Sequence, residues 1–305
     1  MNDFVSTFLS AGFIFVIIRV GVPLLYASLS AYVADVAGIP NIAVEGLMIM
    51  GALFGVYFSA LFSSSWLGLL GAIVIGVLLS LTMAFFTMKM KANPIMIGIA
   101  LNLFAADFSL WLLMVWTGSK GTTGSLPSKV LPTWNIPIIK DIPILGEIIS
   151  GHYFLTYVCI VLTILIYILI YKTPFGLRMK ACGLDEQTAI SVGIKVNRVR
   201  LIAIVISGIL ATLGGAYLSM GYLSIFSNNM TASRGWMGIA ASSVGQGNML
   251  IVLVTTALFA ISQGVVNELI LTSLPAELVN TIPYIVVTFG LISLSIKEYR
   301  KKNKK

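Results

Sequence analysis

Cysteine and histidine are almost missing from this chain. Two cysteines and one histidine occur in 305 residues, so there is no disulfide framework and no Cys-His cluster with metal spacing. Charge is scarce as well, at 10% of residues. Neither HExxH nor GxSxG is present, and the glycine-rich GSKGTTGS at Gly118–Ser125 lacks the GK[ST] ending of a phosphate-binding loop. No catalytic constellation and no metal site are expected. A chain without a nucleotide motif cannot hydrolyse a nucleotide alone, so any work against a gradient draws its energy from a partner or an ion.

Hydrophobic residues are abundant, at 58%, with a mean hydropathy of +1.00. Runs of about 20 apolar residues are the length a helix needs to cross ~30 Å of hydrocarbon, and a helix satisfies its own backbone groups where lipid cannot. Such runs cover Phe4–Ala34, Ile42–Phe62, Leu67–Met88, Ile95–Trp116 and Tyr153–Tyr171. After a polar insert come Leu201–Met220, a shorter Gly235–Val244, Met249–Leu271 and Ile282–Ile296. The start, MNDFVSTFLS, has no basic stretch of the kind that precedes a cleaved signal, so the first run is expected to stay. The expectation is an all-α polytopic membrane protein forming a single domain over 1–305. Residues 117–152, with Pro127, Pro132, Pro137 and Pro143, read as an ordered loop rather than a continuous helix.

Basic residues stay preferentially on the cytoplasmic side. Of 19 lysines and arginines, 14 lie at Lys89 and Lys91, in the insert Thr173–Arg200 with its edge Lys172, and in the tail 297–305. The loop 117–152 has three, which places it outside. The net charge of +8 then reflects topology and contact with lipid headgroups, not a nucleic-acid surface. Insert and tail both lie inside, so an even number of crossings must separate them. The short Gly235–Val244 segment therefore crosses, as a tilted helix with broken ends, giving about nine transmembrane helices (8–10) and an outside N-terminus. A re-entrant Gly235–Val244 is the competing reading.

Ionisable groups within apolar runs need a partner or a water-filled path. Arg19, Glu45, Asp107 and Glu268 are the candidates. Glu45 follows a break at Gly38 and Pro40, and a broken helix (38–46) beside a buried acid suits a transporter site. Equally, Glu45 could pair with Arg19 and fasten the first two spans. Asp107, Glu268 and the lone His152 read as groups near water. Gly208, Ala211, Gly214 and Gly215 suit close helix packing.

The order of motifs resembles permeases of the branched-chain amino acid, ribose and nucleoside class of ABC importers, most of all the shorter permease of nucleoside systems served by a Bmp-type lipoprotein. The matching blocks are GIPNIAVEGLMIMGA (38–52), KANPIMIGIALNLFA (91–105), DIPILG (141–146), TPFGLRMKACGLDEQTAISVGIKVNRVR (173–200) and SGILATLGGAYLSMGYLSIFSNNMTASRGWMGIAA (207–241). They span nearly the whole chain.

The resemblance makes the insert a cytoplasmic coupling helix docking into an ATPase through Gly183, Leu184, Asp185, Glu186, Ala189 and Gly193. This chain has Leu184-Asp185 where the family usually has Glu-Asn, and its Gly245–Asn248 turn lacks the family's proline. For the substrate path the resemblance points to Asn41 and Glu45, then Asn102, Asn229, Thr231 and Arg234, with Arg234 also a contact for the external binding protein.

It further implies a nucleoside cargo, alternating access, a bacterial plasma-membrane location and no cofactor in this chain, ATP being bound by the partner. The implied partners are a second, related permease, an ABC ATPase and an extracytoplasmic substrate-binding lipoprotein, all in a lipid bilayer. Ribose, another sugar or a branched-chain amino acid is the alternative cargo. An ion-driven secondary transporter using Glu45 and Asp107 is the alternative mechanism.

Overall fold

The structure, a computed structural model, describes residues 10–119, 121–135, 145–269, 281, 285, 286, 288–290 and 292. The basic tail, most of the run Ile282–Ile296 and most of the DIPILG block lie outside the described residues.

The chain is mostly helical. The apolar runs become α1 (Ala11–Val36), α2 (Val44–Leu61), α3 (Ser65–Ala84), α4 (Pro94–Thr117), α6 (Phe154–Lys172), α9 (Val196–Tyr217) and α11 (Met249–Leu269). Short α5 (Leu145–Ile149) precedes α6, and α7 (Pro174–Leu184), α8 (Glu186–Ser191) and α10 (Arg234–Gly245) complete the set. Local chemistry sets many of the ends. Ser10 Oγ accepts from Phe13 N–H at the start of α1. Asn93 does the same for Ile95 ahead of Pro94, and Gly118 closes α4 at φ +69°, the left-handed geometry that suits glycine. Both α3 and α9 run on as a π-turn, at Phe85–Lys89 and Leu218–Tyr222.

Among the described residues seven helices are long and apolar enough to cross a membrane. In α9 72% of the apolar window is buried, against 28% in α4 and in α6, which makes α9 the central post. It packs against α1, α2 and α3. Its small residues allow this, because a side chain at Gly215 would overlap the Met48 carbonyl and one at Gly208 the Ser80 hydroxyl. Small residues at such crossings let backbones approach where lipid gives no hydrophobic drive.

Paired residues give the directions. Arg200 meets Ala37, Ser207 meets Ser30 and Gly214 meets Tyr26, so α9 runs antiparallel to α1. Asn41 also reaches Ser207, and Met220 lies against Gly55, so α2 runs alongside α9. The non-helical stretch 37–43 therefore doubles back into the bundle before α2 begins. Asn41 lies level with Ser30, about 10 Å from the end of α1 at the helical rise.

α10 has 12 residues, about 18 Å of helix, and left-handed residues bound it at both ends, Ser233 (φ +61°) and Gln246 (φ +45°). It lies on α1, with Gly238 against Ala27 and Ser28 and the Ser242 hydroxyl donating to Asp35. The proline-rich loop is ordered where described. Thr133–Trp134 (β1) pairs antiparallel with His152–Tyr153 (β2), Thr123 N–H bonds Phe226 O, and Ser59 Oγ bonds both N–H and C=O of Lys129.

Candidate functional site

Two clusters carry the chemistry, one around Glu45 in the bundle and one on the polar insert.

Glu45 stands in the first turn of α2 and is 8% exposed. The Thr231 hydroxyl donates to its Oε1 at 2.5 Å, and the Gly235 N–H to its Oε2 at 2.7 Å. Gly235 is the second residue of α10, so the carboxylate caps a helix N-terminus whose dipole favours negative charge. Glycine is required there, since a Cβ would come within 2.6 Å of Glu45. Asn41 donates to Ser207 Oγ at 2.8 Å and accepts from Ala43 N–H at 2.9 Å. Asn102, from α4, accepts from Gly46 N–H and donates to Ile42 O, both at 2.7 Å.

Four of the six path residues expected from the sequence thus converge: Asn41, Glu45, Asn102 and Thr231 are all buried. Their polar atoms bond the non-helical stretch before α2 and the start of α10. Asn229 (φ +57°) is exposed beyond this cluster, and Arg234 Nη1 donates to the carbonyls of Met230 and Thr231.

The pairing of Glu45 with Arg19 is not made. Arg19 donates to the Tyr153 hydroxyl at 2.9 Å and lies 5.0 Å from the centres of the Tyr153 and Tyr222 rings, a cation–π arrangement. His152 is buried, stacked on Phe15 at 4.1 Å and bonded to Ile148 O; burial pushes its imidazole below 6.5. Asp107 faces outward from the middle of α4.

The insert is two helices rather than one. Thr173 Oγ accepts from Gly176 N–H to start α7. Asp185 ends α7 and caps α8, accepting from Gln187 N–H, Thr188 N–H and the Thr188 hydroxyl. Those donors hold its carboxyl below the ordinary 3.8. Residues from Val196 to Arg200 already belong to α9.

Gly183 and Ala189 turn toward the chain itself. Ala189 is buried, and the place of a Gly183 side chain is filled by the Val36 carbonyl. Arg200 ties the same region together, donating to Ala37 O and pairing with Glu186 at 2.8 Å. Outward stand Leu184 (87% exposed), Ile190 (57%) and Val192 (70%). Sequence reading missed the last two, and the signal for them was apolar residues inside an otherwise polar insert. Gly193 closes the turn at φ +82°, and beside it Arg178, Lys195 and Arg198 line a cleft of about 430 Å³. The pair Asp35–Ser242 was also missed, having no motif of its own.

Seven membrane-length helices among the described residues, with a buried, helix-capped acid and a separate polar segment presenting apolar side chains, define a multi-pass membrane protein. Residues 13–291 match the family described as "Branched-chain amino acid transport system / permease component", and the chain belongs to that family. It is 30% identical to the "Guanosine ABC transporter permease protein NupQ" of Bacillus subtilis, over 88% of this chain and 87% of the relative. Identity to the "Nucleoside ABC transporter permease protein NupC" of Lactococcus lactis is also 30%, over 90% and 88%. The "Nucleoside ABC transporter permease protein NupB" of that organism is 24% identical over 92% of this chain and 80% of the relative.

Proposed function

We propose that this chain is the membrane-spanning permease subunit of an ATP-driven importer for nucleosides. The observation that carries the reading is its 30% identity, over nearly the full length of both partners, to permeases named for guanosine and for nucleosides.

ATP is bound and hydrolysed by a separate ABC ATPase, and this chain needs no cofactor of its own. The segment 173–193 faces the cytoplasm and docks there through Leu184, Ile190 and Val192 around the capped Asp185. Gly183 and Arg200 carry the movement inward, because both touch the end of α1. Gly38 follows, at φ +72°, and opens the stretch that leads to Asn41 and Glu45. Force applied to the insert thus reaches the buried acid through seven residues of chain.

Asn41, Glu45, Asn102 and Thr231 form the latch that holds the two broken helices together, and its opening and closing accompany alternating access. Asn229 and Arg234 lie on the outer side of the acid, where a lipoprotein delivers cargo. A second, related permease completes the core in the bacterial plasma membrane. The loop 117–152 lies outside, and 173–200 and 297–305 lie inside.

Uptake of radiolabelled guanosine by cells with and without this chain tests the reading. Uptake that depends on the chain, stops with vanadate and is competed by nucleosides is the expected result. Competition by ribose or leucine instead reassigns the cargo, and uptake that survives vanadate but collapses with an ionophore overturns the ATP-driven mechanism.

A further inference from the structure

α4 carries a charge in its exposed middle, where the exposed middles of α3, α6 and α11 carry none. Asp107 lies about 20 Å along the helix from Pro94 and about 15 Å from Thr117, and its side chain is exposed. Its surroundings on that face are Leu103, Phe104 and Trp111, each about half exposed. Phe104 stacks on Phe108 at 4.8 Å and Phe108 on Trp111 at 5.6 Å, so a row of rings flanks the carboxylate.

The remaining peripheral spans serve as internal controls. Val74 and Leu78 on α3, Ile164 and Ile168 on α6, and Val254 and Leu258 on α11 are all exposed, and between those residues no aspartate, glutamate, lysine or arginine interrupts the three faces. They are suited to lipid tails. A carboxylate in the middle of a membrane helix is not, because hydrocarbon offers neither a hydrogen bond nor a counter-charge. The Glu45 carboxylate, by contrast, finds both its donors within the chain.

We infer that the Asp107 face of α4 is the seam at which the second permease subunit seats, and that this subunit presents a hydrogen-bond donor or cation to Asp107 at mid-membrane. The inference rests on the proposed two-permease core. Charge complementarity selects the occupant: a lipid tail cannot supply a donor, and a membrane helix from a related subunit can. Two of the relatives, NupB and NupC, are nucleoside permeases of one organism, as a paired core requires. The flanking rings supply apolar area around the polar contact, the arrangement that excludes water from a buried interfacial bond.

The test is site-specific photo-cross-linking in native membranes. A benzoylphenylalanine is placed at Leu103 in one tagged version of the chain and at Ile164 in another, and adducts are identified by mass spectrometry. At 103 the expected product is one protein adduct with a permease of the same family, and at 164 lipid adducts. Lipid adducts alone at 103, an adduct with a second copy of this chain, or nucleoside blocking the reaction at 103 with no protein adduct overturns the inference.

A second arm measures how much of the second permease co-purifies. Asp107→Leu is expected to lower recovery at least tenfold at an unchanged membrane level of the tagged chain, while Asp107→Asn, which still hydrogen-bonds, keeps most of it. Undiminished recovery with Asp107→Leu overturns the inference; where that variant fails to accumulate, the cross-link at 103 decides. Neither arm reads transport, so failed guanosine uptake bears on the cargo and not on the seam.

Discussion

Gly38 and Gly183 meet through bare backbone. A Cβ on Gly38 would lie 2.8 Å from the Gly183 Cα, and Gly38 holds φ +72°, a conformation that costs a side-chain-bearing residue about 1–2 kcal/mol. Gly38→Ala and Gly183→Ala should therefore separate α7 from the end of α1. Membrane level is expected to hold while guanosine uptake falls at least tenfold. Normal uptake by both variants would remove the mechanical link from insert to bundle.

The outward apolar side chains of the insert make a second prediction. Leu184→Arg and Ile190→Asp change only exposed surface, so stability in detergent should stay within about 0.5 kcal/mol. Co-purification of the ATPase and uptake should both be lost. A bulky residue at Ala189 acts differently: it overfills a buried site, at about 1–3 kcal/mol, and lowers the melting temperature. Equal melting behaviour for Ala189→Phe and Ile190→Asp would contradict this division.

Glu45 and Thr231 should be energetically coupled. Thr231→Val removes one of two donors to a buried carboxylate, for an expected loss of about 1–3 kcal/mol. Glu45→Gln leaves that hydroxyl an acceptor but supplies the Gly235 N–H with a neutral one at best. A double-mutant cycle on thermal unfolding of the purified protein should give an interaction energy above about 0.5 kcal/mol. Strict additivity would mean that the contact does not hold the start of α2 to the start of α10.

Asn102 serves two buried backbone groups at once, Gly46 N–H and Ile42 C=O. Asn102→Leu leaves both without a partner, and the expected cost is about 2–6 kcal/mol, or 1–3 for each group. Asn102→Asp keeps the acceptor but sets a buried carboxyl against the Ile42 carbonyl, so it should cost at least as much. A melting temperature for Asn102→Leu equal to the parent's would show that α4 does not brace the break.

Asp185 predicts a pH response by sign. Its carboxyl is held below 3.8 by the Thr188 hydroxyl and by the Thr188 and Gln187 N–H groups, so the ionised form is favoured in the folded helix. The stabilisation is fully present above the ordinary carboxylate value and fades as pH falls through the depressed one. ATPase co-purification should be flat from pH 8 to 5 as far as this group decides it, and Asp185→Ala should weaken it throughout. A variant defect that appears only below pH 5 would argue against the cap.

The spans were legible in the sequence to within a few residues at most ends, because runs of apolar side chains bounded by Pro, Gly and Lys state their length directly. Gly38 and Pro40, two residues that resist helix, fall in the non-helical stretch 37–43, and α2 begins at Val44, inside the expected break 38–46. The partners of Glu45 were not legible. Thr231 and Gly235 lie 186 and 190 residues away, and no local pattern announces which helix end will reach an acid. The sequence leaves a Glu45–Arg19 pair open for the same reason, the partners Arg19 takes instead, Tyr153 and Tyr222, being aromatic and distant. The helix position of Asp107 says nothing of which way its face turns; burial on the opposite side, at Asn102, Ala105 and Ser109, turns it outward.

The capped acid also has a consequence for how the protein is made. Residue 45 enters the membrane long before residues 231 and 235 exist, and at about 5–20 residues per second the wait is roughly 10–40 s. During that interval the carboxylate of Glu45 has no donor of its own chain beside it. Biogenesis of the first spans is therefore completed by the last third of the chain, and a product truncated after α9 lacks both donors to that acid.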